Sequence, residues 1–550
     1  MPSAAEKPLA ISSLPALLDE AAARFGHHKA LDFFGRKLTY AELARLVDRA
    51  ARGFQKIGVV HGTRVGLCLP NSPYFVIAYY AVLKAGGIVV TFNPLYVARE
   101  IARQVEDSGT TIMVTLDVAK IYPKVAAVLE TTCLETIIVC SLRAALPLAK
   151  GLLFGLFKAK ELAKIRRDPK HIRFESLLAD HTPMQPVAIN PVIDLAVLQY
   201  TGGTTGVPKG AMLSHANLTA NVAQIADRVP SLQPGRERAL MLLPLFHIFG
   251  MTAGMNFCIS LGAEIVLLPS FDIAQVLNFI VKKRPTLFPG VPSLFATLSN
   301  RAARGKFDLS SIRYCISGGA PLPLETRQRF ESLTGCKLVE GYGLTEASPV
   351  VAANPLDREY KNESVGPPLR DTIVEIRSLD DPTKILPAGE RGEVCLRGPQ
   401  IMAGYWRNLE ETKAAFIGGA LRTGDVGYLD KDGDLFLVDR IKDIIICNGF
   451  KVYPRSIEEA LLQHPAVAEA VAIAIPDALR GQVPKAFVTL APNSEATPHE
   501  LLHFLAGHLS RIELPRVIEI RASLPKTNIG KISRKDLVLE EAEKAGAAAS

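Results

Sequence analysis

Apolar positions in the first half of the chain alternate between short β-rich runs and longer stretches with helical spacing. The runs RVGLCLP, GIVVTFN, TTIMVTL and ETIIVC are separated by stretches such as SPYFVIAYYAVLKAGG and YVAREIARQVEDSG. Strands that alternate with helices predict crossover connections and a mostly parallel sheet covered by helices. The same alternation of β-rich runs and helical stretches occurs again at DLAVLQY, EIVLLPS, PTLFPGV and SIRYCIS, which predicts a second set of α/β layers.

The pattern changes from about Arg391 to short strands and turns. Asp432 and Gly433 lie between alternating apolar residues in YLDKDGDLFLVD, which predicts a β-hairpin. Beyond Arg440 about a hundred residues contain their own helices and strands, enough for a small domain. We therefore predict an α/β protein with a large N-terminal body at 1–441 and a small α+β domain at 442–550.

Composition and charge narrow the class of protein. The chain has 550 residues, of which 48% are hydrophobic and 21% charged, as in a well-packed enzyme rather than a disordered chain. The net charge of +8 is spread along the sequence, which favours small anionic partners over nucleic acid. Its eight cysteines form no CxxC pair, so we expect neither a zinc site nor a disulfide framework, and we expect a cytoplasmic protein.

One segment, 141–167, combines an apolar run with a cluster of basic residues. It could lie peripherally on the anionic inner face of a membrane. The alternative, which we favour here, is a basic amphipathic helix that covers a junction between subdomains, because Pro147 and two glycines weaken the helix. The basic residues are Lys150, Lys158, Lys160, Lys164, Arg166 and Arg167.

A loop rich in glycine and threonine follows the run DLAVLQY, in LQYTGGTTGVPKGAMLSH. Successive backbone N–H groups in such a turn form a concave nest that binds phosphate, and glycines allow close approach. No glycine is followed by lysine and then serine or threonine, so it is not a Walker A loop. The alternative is a plain exposed turn. The candidate phosphate-binding residues are Thr201, Gly202, Gly203, Thr204, Thr205, Gly206 and Lys209.

YTGGTTGVPKG resembles the phosphate-loop motif of the acyl-adenylate-forming enzymes, the superfamily of acyl-CoA synthetases, luciferases and adenylation domains. The resemblance runs from about residue 10 to 540 and is closest to bacterial medium- and long-chain fatty-acid--CoA ligases. It implies a distorted β-barrel in the N-terminal body and a mobile C-terminal domain. Six further blocks keep the family's order: LPLFHIFG (243–250), ISGGAPLP (316–323), EGYGLTEASP (340–349), RTGDVGYLDKDGDLFLVDRIKD (422–443), NGFKVYPRSIEEAL (448–461) and LPKTNIGKISRKDL (524–537).

The resemblance assigns nucleotide contacts to several of these blocks. Glu346 corresponds to the family's Mg²⁺ ligand and Thr345 to the hydroxyl that contacts the α-phosphate. Tyr342 would stack on the adenine, and Asp425 would bind the ribose hydroxyls together with Arg440. The adenine-binding turn would comprise Gly318, Gly319, Ala320 and Pro321.

The C-terminal blocks imply a reaction in two steps with ATP, Mg²⁺ and CoA. Lys531 resembles the mobile lysine that bridges the attacking carboxylate and the α-phosphate. Lys442 lies at the family's hinge, and Gly449 corresponds to the loop that enters the site for thioester formation. The domain would deliver Lys531 first and then rotate so that the CoA thiol reaches acyl-AMP.

The acyl pocket is implied around LPLFHIFG. His247 would lie near the carboxylate, while Phe246, Phe249 and Met251 would line an apolar cavity and Gly341 would leave it open. We expect a ligase for medium- to long-chain fatty acids that acts as a monomer or a homodimer. Ligases for aromatic or dicarboxylic acids, and an acyl-AMP ligase that transfers to a carrier protein, stay open as alternatives. A non-enzymatic nucleotide-binding protein is the least favoured reading.

Overall fold

The computed structural model describes residue 9 and residues 11–201, 208–305, 307–356, 361–447, 450–477, 480–526 and 532–549. The chain divides into two compact units. The first unit comprises Met1–Asn362, Gly366–Ile373 and Arg397–Phe416, and the second comprises Glu363–Val365, Val374–Leu396 and Ile417–Ser550.

The described residues form helices of widely varying length. In chain order these are α1 (Leu14–Phe25), α2 (Tyr40–Lys56), α3 (Pro73–Lys84), α4 (Ala98–Ser108), α5 (Tyr122–Val128), α6 (Leu142–Ala145), α7 (Leu148–Phe157), α8 (Phe174–Leu177), α9 (His215–Arg228), α10 (Phe257–Ser260), α11 (Ile273–Lys283), α12 (Pro292–Ala302), α13 (Leu324–Thr334), α14 (Leu409–Ala415), α15 (Pro454–Leu462), α16 (Pro498–Ala506) and α17 (Arg534–Ala549). Short 3₁₀ helices span Ala159–Glu161, Thr345–Ala347 and Ile441–Asp443, and a π-helix spans Phe249–Asn256.

The strands alternate with these helices through most of the first unit. In chain order they are β1 (Lys29–Phe33), β2 (Arg36–Thr39), β3 (Arg64–Cys68), β4 (Ile88–Thr91), β5 (Ile112–Leu116), β6 (Thr136–Cys140), β7 (His171–Arg173), β8 (Leu195–Thr201), β9 (Lys209–Ser214), β10 (Arg238–Met241), β11 (Glu264–Leu267), β12 (Leu287–Gly290), β13 (Tyr314–Gly318), β14 (Lys337–Gly343), β15 (Val350–Ala353), β16 (Ser364–Gly366), β17 (Ile373–Arg377), β18 (Gly392–Arg397), β19 (Phe416–Ile417), β20 (Ala420–Leu429), β21 (Leu435–Arg440), β22 (Ile445–Cys447), β23 (Phe450–Val452), β24 (Val467–Asp477), β25 (Gly481–Leu490) and β26 (Val517–Ile520).

Two mostly parallel sheets build the first unit. The first has the order β7-β6-β5-β3-β4-β8-β9, with only the β8–β9 pair antiparallel. The second has the order β15-β14-β13-β12-β10-β11-β1-β2, with antiparallel pairs only at its two edges. The alternating pattern predicts two sets of α/β layers, and the structure confirms two. The assignment of DLAVLQY to the second set is wrong, because this run forms β8, which pairs with β4 in the first sheet.

Crossover helices pack against the parallel sheets, whose central strands are buried at nearly every position. In the first sheet, Met113 and Ile137 pack with Val105 of α4 and Val125 of α5. In the second sheet, a separate cluster joins strand residues such as Phe288 to helices α11 and α12. Strands buried by helices on their faces are continuously apolar, which explains why their sequences lack a polar alternation.

The second unit is antiparallel in most of its pairs. A six-stranded sheet with the path β16-β21-β20-β18-β17, and β19 beside β20, occupies the stretch where the resemblance implies a distorted β-barrel. Leu429 pairs with Leu435 across the β20–β21 hairpin, and Gly433 in its turn has φ +84°, a conformation that favours glycine. The hairpin predicted at this position is confirmed.

The last sheet has the path β23-β22-β25-β24, with β26 parallel to β25. Its core brings Ile445 and Val483 against Ile457 of α15 and Leu501 of α16. This is the small α+β region predicted from the sequence. The boundary predicted between 441 and 442 lies between β21 and β22, inside the second unit, and stays a prediction. None of the described helices is both long and apolar enough to cross a membrane.

Candidate active site

The β8–β9 hairpin presents the two described ends of the predicted phosphate loop side by side. Thr201 at the end of β8 pairs with Lys209 at the start of β9 in antiparallel register. The structure therefore places one threonine and the lysine of the motif at the same end of the first sheet. The other predicted loop residues lie outside the described residues, and their role stays a prediction: Gly202, Gly203, Thr204, Thr205 and Gly206.

Lys209 forms a close ion pair in this position. Its Nζ lies 2.5 Å from Glu411 Oε2 and 5.4 Å from the centre of the Tyr405 ring. Only 11% of the Lys209 side chain is exposed, whereas 35% of the Glu411 side chain is, so the lysine is the more buried partner of the pair. A cation over an aromatic face is attracted by the ring quadrupole, and Glu411 balances the remaining charge.

Tyr405 connects Lys209 to Glu346. The Tyr405 hydroxyl donates a hydrogen bond to Glu346 Oε1 at 2.8 Å, and burial together with the Glu346 charge raises the pKa of Tyr405. The hydroxyl therefore keeps its proton and acts as a donor to the carboxylate. Backbone hydrogen bonds of the stretch around Tyr405 to β9 hold the ring in place, from Met212 N–H to Gly404 and from Trp406 N–H to Gly210.

The site residues predicted from the sequence do not include Tyr405 and Glu411. They lie 59 and 202 positions from the residues they contact, Glu346 and Lys209. The periodicity of apolar residues predicts local structure, and it does not reveal contacts between residues so far apart in the sequence. The tripeptide GYW at 404–406 is the one local feature that marks an aromatic residue here.

The residues around Glu346 fit a magnesium ion held with a substrate. Among the described residues, no group of three or more His, Cys, Asp or Glu side chains could hold a metal alone. Magnesium is usually bound by one or two carboxylates, with substrate phosphates and water completing its shell. Glu346 is half-buried in the 3₁₀ helix that begins at Thr345, and its carboxylate oxygens are suitable ligands for such an ion.

The predicted adenine turn lies at the carboxyl end of β13. Gly318 pairs with Gly341 of β14 in parallel register, so Tyr342 follows at the same sheet edge. Gly319 has φ +84°, which lets the chain turn sharply into Ala320 and Pro321. Ligands of open α/β sheets bind at this edge.

A buried hydroxyl marks the same strand end. Ser317 is fully buried, yet its Oγ has no hydrogen-bond partner among the described residues. Buried polar groups are usually hydrogen-bonded. A polar atom of a bound nucleotide is therefore a chemically suitable partner at this position.

The predicted acyl-pocket residues gather around the π-helix at Phe249–Asn256. His247 lies two residues before its first residue, and its Nδ1 accepts a hydrogen bond from Phe249 N–H at 3.3 Å. The Phe246 carbonyl accepts a hydrogen bond from Gln199 of β8, and Met251 is fully buried. π-helical turns occur often at functional sites.

Phe249 also lies against the adenine turn. A Cβ atom at Gly318 would lie 3.1 Å from the Phe249 ring, so any residue larger than glycine would crowd the ring. At Gly341 a Cβ atom would stand 3.0 Å from Ile316 Cδ1, the flexible end of a side chain. The structure thus brings the predicted acyl and adenine residues of the first unit together.

The predicted ribose residues lie in the second unit. Asp425 and Arg440 face each other across β20 and β21, with Arg440 Nε 3.2 Å from Asp425 Oδ1. Lys442 follows as an exposed residue of the 3₁₀ helix at Ile441–Asp443. Gly449 and Lys531 lie outside the described residues, and their roles stay predictions.

A buried charge cluster connects α17 to the region of Lys442. The Arg534 guanidinium donates to Glu458 at 2.7 Å and to Asp443 at 2.8 Å, and lies 3.5 Å from Asp439. Burial raises the pKa of Glu458 and of Asp439, and the carboxylates in turn raise the pKa of Arg534. The sequence contains no feature from which this cluster could be predicted.

Comparison with known proteins places these features in a family. Residues 18–406 match the family described as AMP-binding enzyme, and residues 456–531 match the AMP-binding enzyme C-terminal domain. Both matches follow the order of blocks seen in the sequence.

Several relatives align over nearly the whole chain. The long-chain-fatty-acid--CoA ligase of Bacillus subtilis (strain 168) is 41% identical over 549 residues, covering 98% of this chain and 96% of that protein. That of Escherichia coli O6:H1 is 37% identical, covering 96% and 94%. The 4-coumarate--CoA ligase 5 of Oryza sativa subsp. japonica is 34% identical, covering 92% and 89%.

Solved structures agree with the fold over the same length. ATP-bound MatB from Rhodopseudomonas palustris is 28% identical with a TM-score of 0.83, covering 97% of this chain and 99% of that chain. The anthranilate CoA ligase AuaEII in complex with anthranoyl-AMP is 26% identical with a TM-score of 0.84, covering 99% of both chains. The chain belongs to the AMP-binding enzyme family, the acyl-adenylate-forming enzymes.

Proposed function

We propose that the protein is an ATP-dependent, AMP-forming ligase that joins medium- to long-chain fatty acids to CoA. The observation that carries this proposal is the 41% identity, over nearly the full chain, to a long-chain-fatty-acid--CoA ligase. The connected arrangement of Lys209, Tyr405 and Glu346 supports the proposal, because it joins the cation that we propose binds phosphate to the carboxylate that we propose holds magnesium.

In the first half-reaction a carboxylate oxygen of the fatty acid attacks the α-phosphorus of ATP. The bond to pyrophosphate breaks, and acyl-AMP forms. Such a displacement depends on positioning and charge neutralisation more than on a protein nucleophile. Lys209 would supply a positive charge to the phosphates, Glu346 would hold a Mg²⁺ ion that supplies further charge neutralisation, and Lys531 would bridge the two reacting groups.

In the second half-reaction the CoA thiol attacks the acyl carbonyl. The new thioester bond forms as the bond to AMP breaks, and the thiol proton leaves to solvent or to a base. We propose that Lys442 is the hinge for this step and that Gly449 lines the passage for the thiol. One site would then serve both half-reactions through a change in the position of the C-terminal domain.

The proposal that the substrate is a fatty acid is supported by the relatives and by the apolar residues near His247. The two fatty-acid ligases are 41% and 37% identical, against 34% for the coumarate ligase. Met251 is buried and Phe249 lies beside the adenine turn, so the wall next to the nucleotide is apolar. An apolar wall favours an alkyl chain over a second carboxylate, which would need a buried cationic partner.

The direct test is a thioester assay with ATP, Mg²⁺ and CoA across hexanoate, octanoate, laurate and palmitate. Benzoate, 4-coumarate and the dicarboxylate of matching length serve as matched competitors. We expect kcat/KM to rise with the length of the saturated chain and to be lower for every competitor. A higher kcat/KM for an aromatic acid or a dicarboxylate would reject the proposed substrate class.

The same assay separates CoA transfer from transfer to a carrier protein. A fatty acyl-AMP ligase would accumulate acyl-AMP and form no thioester when CoA is added. We place the reaction in the cytoplasm, with fatty acid, ATP and CoA as small-molecule partners. We also propose that segment 141–167 contacts the inner face of the membrane peripherally.

A further inference from the structure

A single buried carboxylate connects the chain before Lys442 to the chain after it. Asp439 lies near the end of β21, before Lys442, and only 2% of its side chain is exposed. Its Oδ2 accepts a hydrogen bond from Arg455 N–H at 2.8 Å, and its Oδ1 lies 3.5 Å from Arg534 Nη1. Both partners follow Lys442, so Asp439 joins the two sides of the predicted hinge within the second unit.

The contact with Arg455 caps helix α15. The first N–H groups of a helix have no carbonyl partner within the helix. Tyr453, the residue before α15, provides no side-chain cap, and Pro454 at the first position has no N–H to donate. Arg455 N–H is therefore the first donor of the helix, and a carboxylate beside it also interacts favourably with the helix dipole. Helix α15 receives this cap from a residue on the other side of Lys442.

Arg534 contacts the same carboxylate from the start of α17. Its guanidinium also donates to both carboxylate oxygens of Glu458 in α15, at 2.7 and 2.8 Å, and to Asp443 Oδ2 at 2.8 Å. Glu458 and Asp443 follow Lys442, as Arg534 does, so a rotation at Lys442 can leave these contacts intact. The contact with Asp439 is different, because it crosses the predicted hinge and is broken by a large rotation there.

The position of Arg534 in the sequence connects this cluster to the chemistry. Arg534 is the first residue of α17 and follows Lys531 by three positions. Three residues of extended chain span at most about 11 Å, so an anchored Arg534 limits how far Lys531 can move. The anchor is Asp439, whose neighbour Arg440 pairs with the predicted ribose-binding residue Asp425. The cluster therefore favours an arrangement in which Lys531 stays close to the nucleotide.

We propose that Asp439 and Arg534 are positioning residues that form a latch, which holds the C-terminal domain in the arrangement for adenylation and opens before thioester formation. This inference rests on the proposed function, because it assumes that Lys531 acts in the first half-reaction and that Lys442 is the hinge. In the closed latch, Asp439 caps α15 and faces Arg534. After rotation at Lys442, Arg534 would keep its other two carboxylate partners, and the first N–H group of α15 would turn to water.

The expected effect follows from the two contacts that cross Lys442. The hydrogen bond from Arg455 N–H to the Asp439 carboxylate is charge-assisted, and the loss of such a bond changes an equilibrium about tenfold or more. The contact with Arg534 adds less, because at 3.5 Å it is longer than the contacts of Arg534 with its other two carboxylates. Removal of the Asp439 side chain should therefore shift the balance between the two arrangements about tenfold.

The first test is hydrogen exchange at the Arg455 amide, measured on the full-length protein by mass spectrometry with single-residue resolution. We expect exchange to be about tenfold faster in Asp439→Ala than in wild type. A stable analogue of the adenylate, 5′-O-(N-octanoylsulfamoyl)adenosine, added together with CoA should speed exchange in wild type, because the latch opens. Glu541→Gln is the matched control, since Glu541 pairs with Lys485 at 2.7 Å and both residues follow Lys442.

The second test compares the two half-reactions. In Asp439→Ala, pyrophosphate exchange with octanoate should fall about tenfold relative to thioester formation from synthetic octanoyl-AMP. Asp439→Asn should show a smaller change, because its amide oxygen can still accept from Arg455 N–H while the charge that faces Arg534 is lost. Glu541→Gln should keep the wild-type ratio. A purely structural role of Asp439 would lower both half-reactions equally, and that result would overturn the proposal.

Hydrogen exchange and turnover can fail separately. Equal exchange of the Arg455 amide in wild type and Asp439→Ala would overturn the latch whatever the activity of the variant. Protection of this amide that persists with the adenylate analogue and CoA would also overturn it. Wild-type protein that forms no octanoyl-AMP would reject the proposed reaction and with it the role in adenylation, whereas hydrogen exchange reports the contact between Asp439 and Arg455 without any turnover.

Discussion

We predict that Tyr405→Phe raises the Mg²⁺ concentration for half-maximal adenylation by about 30-fold and leaves kcat at saturating Mg²⁺ nearly unchanged. The substitution removes one hydroxyl, which donates to Glu346 Oε1 at 2.8 Å. A phenylalanine keeps the ring 5.4 Å from Lys209 Nζ, so the contact with the lysine is retained. The experiment therefore isolates the positioning of the Glu346 carboxylate.

The magnitude follows from the hydrogen bond. A hydrogen bond to a charged group contributes about 1.5–3 kcal/mol, and about 2 kcal/mol corresponds to a factor of about 30 in an equilibrium constant. Loss of a residue that orients a metal ligand commonly costs roughly 10–100-fold in metal affinity. Both estimates point to a change that a titration measures easily.

The assay is pyrophosphate exchange with octanoate and ATP at a series of Mg²⁺ concentrations. Tyr74→Phe is the matched control, because Tyr74 donates to Glu175 at 3.2 Å elsewhere in the first unit. Its Mg²⁺ dependence should equal that of wild type. An unchanged or lower Mg²⁺ requirement in Tyr405→Phe would show that Tyr405 does not orient a metal ligand, and a fall in kcat alone would point to a different role.

The remaining predictions concern charge at the site and stability. Glu411→Gln should lower the KM for ATP, because it releases Lys209 from an ion pair of 2.5 Å, whereas Glu410→Gln should not; an increased KM would contradict this reasoning. Lys531→Ala should nearly abolish pyrophosphate exchange but retain thioester formation from synthetic acyl-AMP, and equal loss of both would refute the proposed division of labour. Burial lowers the pKa of His215 to about 4. Below its ordinary value of about 6.5 the unfolded chain takes up a proton that folded His215 does not, so stability falls by up to about 3 kcal/mol between pH 6.5 and 4. Denaturant unfolding of His215→Gln should show a weaker loss on the acid side, and an identical pH profile would exclude His215 as its cause.

The layers of the fold could be predicted because they depend on local pattern. Apolar runs interrupted by helical spacing gave the two parallel sheets, and Asp432-Gly433 gave the β20–β21 hairpin. In each case neighbouring residues determine the backbone conformation. The ordered motifs named Lys209, Glu346 and Asp425 but not the elements that hold them: Lys209 begins β9, Glu346 lies in a 3₁₀ helix, and Asp425 lies within β20.

The contacts that connect these residues could not be predicted in the same way. Tyr405 reaches Glu346, and Arg534 gathers three carboxylates, only because distant segments fold together. The orientation of α7 could not be predicted from the sequence either. Its apolar residues suggested a face turned to the protein, but the glycines that decide which side packs inward are informative only once Arg143 is placed beside them.

The central claim is that a fatty acid becomes activated by direct attack of its carboxylate on the α-phosphorus of ATP. Palmitate labelled with oxygen-18 in both carboxylate positions tests this most directly, with AMP and palmitoyl-CoA analysed by mass spectrometry after one turnover. The account predicts one labelled oxygen in AMP and one in the thioester. Unlabelled AMP, or label released in inorganic phosphate together with ADP, would contradict it.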